Sequence, residues 1–334
     1  MKSKVIVWVA FALAGCEIIY DNDDKELPYN SLDAGVVLAS RYVSHSGTEL
    51  VMEADIVLLD HYSWGDDLPF FGEDEFSVDG EGGTYEIISF LDDQVFDRAG
   101  EGAAVILIDQ SGNYETADPY NYRAKGLNKF LQKSHPQYDH LIGGFSKDGA
   151  LANEPVEYHS ASFSTTWEDK LQFLFFLAKR TGGTNNVYDA IGDGLSRLKD
   201  HPANNRDLIV LAHSDDEVSN VGRQPIIDQA LADDIRIHFI TVGNDVDARQ
   251  VGVASHTTGG MFASCPDYLS MVTVVGNLRH VLDGSPNGYT IRVRFVKSAG
   301  PIQPGEAVYA SVKVTDQYSG YEFNPLLITV RVPE

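Results

Sequence analysis

Four near-continuous apolar runs, separated by longer stretches of helical period, restrict the folds open to this chain more than any other feature. The runs are "AAVILID" (103–109), "YDHLIGGFS" (138–146), "RDLIVLAH" (206–213) and "IRIHFITVG" (235–243). A strand with one wet face alternates apolar and polar residues, whereas a strand apolar throughout is buried on both faces. The intervening segments "PYNYRAKGLNKFLQKS", "WEDKLQFLFFLAKR", "NVYDAIGDGLSRLKD" and "PIIDQALADD" read as helices. In the first, Tyr120, Ala124, Leu127, Phe130 and Leu131 share one helical face; in the third, Val187, Ala190, Ile191, Leu195 and Leu198 do. Buried strands alternating with amphipathic helices predict a layered α/β fold around a mainly parallel sheet. Such sheets bind ligands beyond the carboxyl ends of their strands. The first run ends there in "DQSGN" (109–113), an acid, a serine and an asparagine spaced two apart around a glycine.

The flanks have a different period. Residues 33–95 hold "GVVLASRYV", "ELVMEADIVLLD", "EFSV" and "TYEIISF" between turn residues, and 288–334 hold "YTIRVRFVK", "AVYASVKV" and "LLITVRV". The first set reads as strands between Gly, Asp and Pro clusters, and the second alternates with period two, as strands with one solvated face do. Either flank alone would leave a sheet face uncovered. Together they supply about the seven strands of an immunoglobulin-like sandwich. The expected organisation is therefore one composite β-sandwich with the α/β region, 102–283, inserted between its halves. "GEGGTYE" (80–86) lacks the Lys-Ser/Thr of a phosphate loop and is expected to form a hairpin turn.

The first sixteen residues, "MKSKVIVWVAFALAGC", have a short basic start, an apolar core too short to span a bilayer, and small residues before a cysteine. This resembles the lipobox of bacterial lipoprotein signal peptides. The resemblance implies cleavage before Cys16, a lipid on its thiol, and a protein held at the bacterial cell envelope, on the outer membrane or cell surface. Residues 17–32 are acidic and patternless and read as a tether. Cys265 is then left without a disulfide partner and is expected to be a small buried core residue.

Lys+Arg number 25 against Asp+Glu 49, a formal charge of −24. A surface that negative repels phosphate backbones and anionic headgroups, which excludes nucleic acid as an expected partner and leaves the lipid as the only membrane contact. Divalent cations and basic or neutral surfaces stay open.

Landmarks across 102–283 fall in one recognisable order. Asp109-Gln110-Ser111-Gly112-Asn113 is close to D-x-S-x-S, and "TGGTNNVYDAI" (181–191) to G-G-T-N-x-x-D-A. "LIVLAHSDDE" (208–217) stands where an apolar strand would be followed by T-D-G, and "ASHTTGGMFAS" supplies a T-G-G turn before a last strand. Together they resemble the von Willebrand factor type A (VWA) domain, a Rossmann-like α/β fold. The resemblance implies a metal-ion-dependent adhesion site for Mg2+ or another divalent cation. Ser111 and Thr184 would ligate it through hydroxyls and Asp109 mainly through water. Two positions depart from the pattern: Asn113 replaces the second serine, and Ser214 stands where the later acid belongs, with Asp215 one residue on. A hard cation held by such weak ligands stays electrophilic, and a carboxylate from a partner protein can complete its shell.

His213, Asp215, Asp216 and Glu217 could pass for a transition-metal cluster, but contiguous residues seldom converge on one ion, and a solvated acidic loop is the expectation. The ten histidines include no H-E-x-x-H, and no serine lies in G-x-S-x-G. The expected function is a membrane-anchored, non-enzymatic binding or adhesion protein with a protein ligand. The alternative is a structural or assembly subunit of an envelope complex whose VWA site is degenerate and metal-free. A hydrolase using the same ion would need a general base and a nucleophile that the sequence does not offer.

Overall fold

The computed structural model describes residues 34–59, 71–96, 101–112, 118, 121–133, 137–149, 151, 155–166, 168–177, 181–243, 246–282, 284, 286–317 and 320–333. Cys16, the 17–32 tether and Asn113 lie outside them.

The strands are β1 (Ala34–Ser46), β2 (Glu49–Leu59), β3 (Phe76–Asp79), β4 (Gly83–Val95), β5 (Gly102–Asp109), β6 (Tyr138–Phe145), β7 (Val156–Tyr158), β8 (Asn205–Ala212), β9 (Arg236–Val242), β10 (Phe262–Cys265), β11 (Asn287–Lys297), β12 (Ala307–Val314) and β13 (Leu326–Arg331). The helices are α1 (Tyr122–Lys133), α2 (Glu168–Leu177), α3 (Val187–Lys199), α4 (Arg223–Ala232), α5 (Ala248–Thr257), α6 (Tyr268–Gly276) and α7 (Leu278–Leu282).

As expected, the middle region is α/β with a mainly parallel sheet. β10, β9, β8, β5 and β6 are parallel neighbours in that order, and β7 closes the edge antiparallel. Every residue of β5 is buried, which its unbroken apolar run requires. One sheet face packs on Ala124, Leu127, Phe130 and Leu131 of α1 together with α6 and α7. The other packs on Val187, Ala190, Ile191, Leu195 and Leu198 of α3 with α4 and α5. These are the faces that helical period assigns. Asp118 sets the start of α1 by accepting the Tyr122 N–H at 2.8 Å. Helix α6, "YLSMVTVVG", carries no amphipathic signal because Ser270 through Gly276 are all buried, and its β-branched residues favour a strand locally.

The immunoglobulin-like part of the expectation is not confirmed. β1 pairs with β10 at Val37–Phe262, so β4, β11, β2 and β1 continue the α/β sheet into ten strands. A separate sheet, β13-β12-β3, covers one face of this extension. Between them lies a core of Leu50, Met52, Ile56 and Val293 against Val312 and Ile328. Asn324 fastens the layers: its Oδ1 accepts the Gly35 N–H at 2.6 Å, and its Nδ2 reaches the Ser264 carbonyl at 2.9 Å. The Gly80–Gly82 turn is not a hairpin either, since β3 and β4 belong to different sheets and the turn carries the chain between them. Cys265 is buried in the core.

Candidate functional site

β5 has β8 on one side and β6 on the other, so the direction of strand addition reverses at its carboxyl end. Helices diverge from such a switch point and leave a crevice. Asp109, the last residue of β5, stands at it and is fully buried.

A buried carboxylate needs donors, and the surrounding loops supply them. Oδ1 accepts the Ser111 N–H at 2.8 Å and the Ser111 hydroxyl at 2.7 Å. Oδ2 accepts the Asn185 amide at 2.9 Å, the His213 Nδ1–H at 2.7 Å and the His213 main-chain N–H at 3.3 Å. The Ser214 hydroxyl lies 3.3 Å from that of Ser111 and 3.0 Å from Asn185 Nδ2. The ends of β5 and β8 and the start of α3 thus close around one carboxylate.

Glycines make this possible. Gly112 has φ +70°, and a Cβ there would meet His213 Nε2 at 3.2 Å. Gly183 has φ +83°, its carbonyl accepts the Gly112 N–H, and a Cβ on it would sit 2.2 Å from the Lys147 carbonyl. The "TGG" segment is therefore pressed between the β5 turn and the loop after β6.

Of the residues singled out in the sequence, Asp109, Ser111 and Ser214 come together. Thr184 lies on the neighbouring loop, where its main chain bridges Lys147 in both directions and its hydroxyl is 3.4 Å from the Lys147 carbonyl. The Asp215 carboxylate is not brought to the site: it accepts the Asp247 N–H at 2.6 Å, ahead of α5. The four residues of the acidic loop take four separate partners. His213 turns to Asp109, Asp215 to Asp247, Asp216 to Ser219 at 2.5 Å, and Glu217 to the Asn185 N–H at 3.0 Å. Sequence reasoning missed Asn185 and His213 as partners of Asp109. The signal for Asn185 was present, as the residue after Thr184 in the glycine-led segment.

Whether these groups suit a divalent cation depends on the donors. Among the described residues no three His, Cys, Asp or Glu side chains converge, so hydroxyls must do the ligating. Neighbouring oxygen ligands lie about 3.0 Å apart around Mg2+ and roughly 3.3–3.6 Å apart around Ca2+. The Ser111–Ser214 hydroxyl separation of 3.3 Å falls in this span. The buried Asn185 Oδ1 has no hydrogen-bond partner, leaving an unused oxygen beside the pair. The donors fit a weakly held hard cation, with His213 occupying the Asp109 oxygen that an outer-sphere water would use.

Strand order, helix layers and a buried acid at the switch point define an α/β protein with a polar rim at the carboxyl ends of its strands. No family model and no curated protein matches the sequence. Solved structures similar to this chain include VWA proteins. A von Willebrand factor type A protein from Catenulispora acidiphila shares 8% identity, covering 92% of this chain and 75% of that one at a TM-score of 0.49. The ArnB paralog VWA2 from Sulfolobus acidocaldarius shares 11%, covering 90% and 76% at 0.41. Proximal thread matrix protein 1 from the mussel byssus, with a zinc-occupied MIDAS motif, shares 14%, covering 58% and 48% at 0.42. The fold itself rests on the topology above.

Proposed function

We propose that this chain is a non-enzymatic, envelope-anchored binding protein that holds a partner protein at the rim formed by the ends of β5 and β8 and the start of α3. The observation that carries this reading is the pair of hydroxyls, Ser111 and Ser214, set 3.3 Å apart over the buried Asp109 carboxylate. Ser111 and Ser214 would hold a divalent cation directly, and Asp109 would balance its charge from behind. Bound there, the cation supplies an electrophilic position for a carboxylate of the partner. Asn185 and His213 keep Asp109 fixed and dry, so the charge stays buried while the rim stays polar. The lipid on Cys16 would tether the protein, and the net charge of −24 turns nucleic acid away. Among the described residues no helix is long and apolar enough to cross a membrane.

The test is capture of partners from intact cells by the wild type and by Ser111→Ala, with Mg2+ or with EDTA. Mg2+-dependent capture lost in Ser111→Ala is expected. Capture that is indifferent to EDTA and to Ser111→Ala would instead favour the metal-free assembly subunit. Cys16→Ser should release the protein from the membrane fraction, and fatty-acid labelling that survives this change would remove the anchor from the proposal.

A further inference from the structure

The smaller sheet is incomplete along one edge. β13 pairs with β12 from Ala307 to Val312, but β3 pairs with it only from Ser311 to Val314. β3 stops at Asp79, where the chain turns through Gly80–Gly82 into the other sheet. Among the described residues, the first half of β12, residues 307–310, therefore has a strand on one edge and none on the other. The ladder shows which groups face the gap. On the β13 side the Glu306 and Val314 carbonyls accept from Val332 and Phe323; on the β3 side Thr315 donates to the Glu75 carbonyl and the Tyr309 carbonyl accepts the Tyr85 hydroxyl. Odd-numbered residues thus aim their main chain at the gap, and within it these are Ala307 and Tyr309.

A cavity of about 620 Å3 follows this half-edge, a size typical of ligand sites. Its walls include Tyr85, Tyr309 and Leu327 and two ion pairs, Lys297–Glu306 at 2.7 Å and Arg249–Glu81 at 2.7 Å. Asp79 adds a third carboxylate, itself paired with Lys313 at 2.8 Å, so each acid of the lining has a base and the negative bias comes from a chain that carries −24. The Tyr85 hydroxyl is 2.8 Å from the Tyr309 carbonyl and equally 2.8 Å from that of Glu81. It can release Tyr309 and keep Glu81, which makes it a movable cap on the open edge. Burial pushes this phenol up to about 12, so it remains a donor.

The geometry points to a second, independent docking site: an extended segment of a partner protein, carrying a basic residue, adds beside β12 where β3 stops. Main-chain bonds to Ala307 and Tyr309 supply the attraction, as in strand addition to other sheet edges. Four residues of β12 span ~13 Å, so the segment is short. A small ligand without a peptide backbone would leave these alternating donors and acceptors unmatched. The net charge of −24 favours a basic side chain on the incoming segment.

The probes are the amidated peptides Lys-Val-Thr-Val-Lys and Glu-Val-Thr-Val-Glu, added to the purified chain. Binding is read by anisotropy of the labelled peptide and by hydrogen exchange at the Ala307 and Tyr309 amides. The basic peptide should slow exchange at both amides and bind at least tenfold more tightly than the acidic one. Ala307→Pro removes one outward N–H at a position where an edge strand accepts proline, and it should weaken binding tenfold without lowering the melting temperature. Tyr85→Phe removes the cap and should tighten binding, a readout that survives if Ala307→Pro folds poorly. No binding at millimolar peptide with unchanged exchange, or equal binding of both peptides, overturns the proposal. Protection already present without peptide also overturns it, in favour of a second copy if dilution removes it, or of the chain's own tether if deleting residues 17–32 does.

Discussion

The Nδ1 atom of His213 lies 2.7 Å from Oδ2 of Asp109, so the one carboxylate of the candidate site is held by the protein's own imidazole. That bond competes with any cation whose water shell needs the same oxygen. A ligand that binds only the folded state stabilises it by about 2.7 kcal/mol at a hundredfold excess over its dissociation constant. For a chain of this size millimolar Mg2+ should raise the melting temperature by about 5 °C. His213→Ala should enlarge the shift, and Asp109→Ala should abolish it. If Mg2+, Mn2+ and Ca2+ all leave both the wild type and His213→Ala unmoved, the hydroxyl pair holds no cation.

The loop after β8 separates two roles that the sequence left open. Ser214 faces Ser111, whereas Asp215 is taken up by the Asp247 N–H. Asp215→Ala should therefore leave the metal response intact while costing about 1 kcal/mol through the lost hydrogen bond ahead of α5. Ser214→Asp should increase the metal response by placing a carboxylate beside Ser111. A metal shift lost in Asp215→Ala would move the site to that residue.

The central layers were legible because buried strands and one-sided helices have distinct periods. Leu127 and Phe130 of α1, and Ile191 and Leu195 of α3, lie on the buried faces the spacing assigns. The join between β1 and β10 was not legible, because it rests on a single register pair, Val37–Phe262, between residues distant in sequence. Nor could the β pattern of "EFSV" and "TYEIISF" show that β3 and β4 belong to different sheets. At the site, Asp109 and Ser111 announced themselves by spacing, but a histidine at the end of β8 gives no sign of which carboxylate it meets. The direction of Asp215 depends on where α5 begins, and α5 lacks a strong helical pattern of its own.

At the opposite end of the sheet, Asp207 organises a network that no motif announced. It is fully buried and accepts from Arg236 at 2.7 and 2.9 Å, from His238 Nε2 at 2.8 Å, and from the Tyr138 hydroxyl. Burial alone would raise its pKa, but Arg236 and His238 hold the carboxylate below its usual range. Asp207→Ala leaves Arg236 largely buried without its counter-charge, a loss of about 3–5 kcal/mol. Urea unfolding should show this as a lower midpoint with unchanged slope. A midpoint within experimental error of the wild type would mean that the network is structurally dispensable.

The last prediction concerns acid. His140 is fully buried on β6, its ring stacked on Tyr138 at 5.4 Å and meeting Phe130 edge-on at 5.2 Å. Burial, with the nearby Lys170 charge as the second cause, lowers its pKa to about 3. In the unfolded chain the same imidazole titrates at its ordinary value of about 6.5. Below that pH the unfolded state binds a proton that the folded state refuses, so acid favours unfolding. The contribution is present in full above about pH 6.5 and is lost as the pH falls toward 3, in total roughly 3–5 kcal/mol. Asp207 acts in the same direction but over a lower window, since its own depressed value leaves it charged until strong acid. The two are separable by substitution: His140→Phe keeps a ring in the core and should roughly halve the dependence of urea midpoint on pH between 6.5 and 4.5, the remainder coming from His256, which burial lowers to about 4. Asp207→Asn should leave that segment as steep as in the wild type. A wild-type slope retained by His140→Phe would show that another group carries the acid sensitivity.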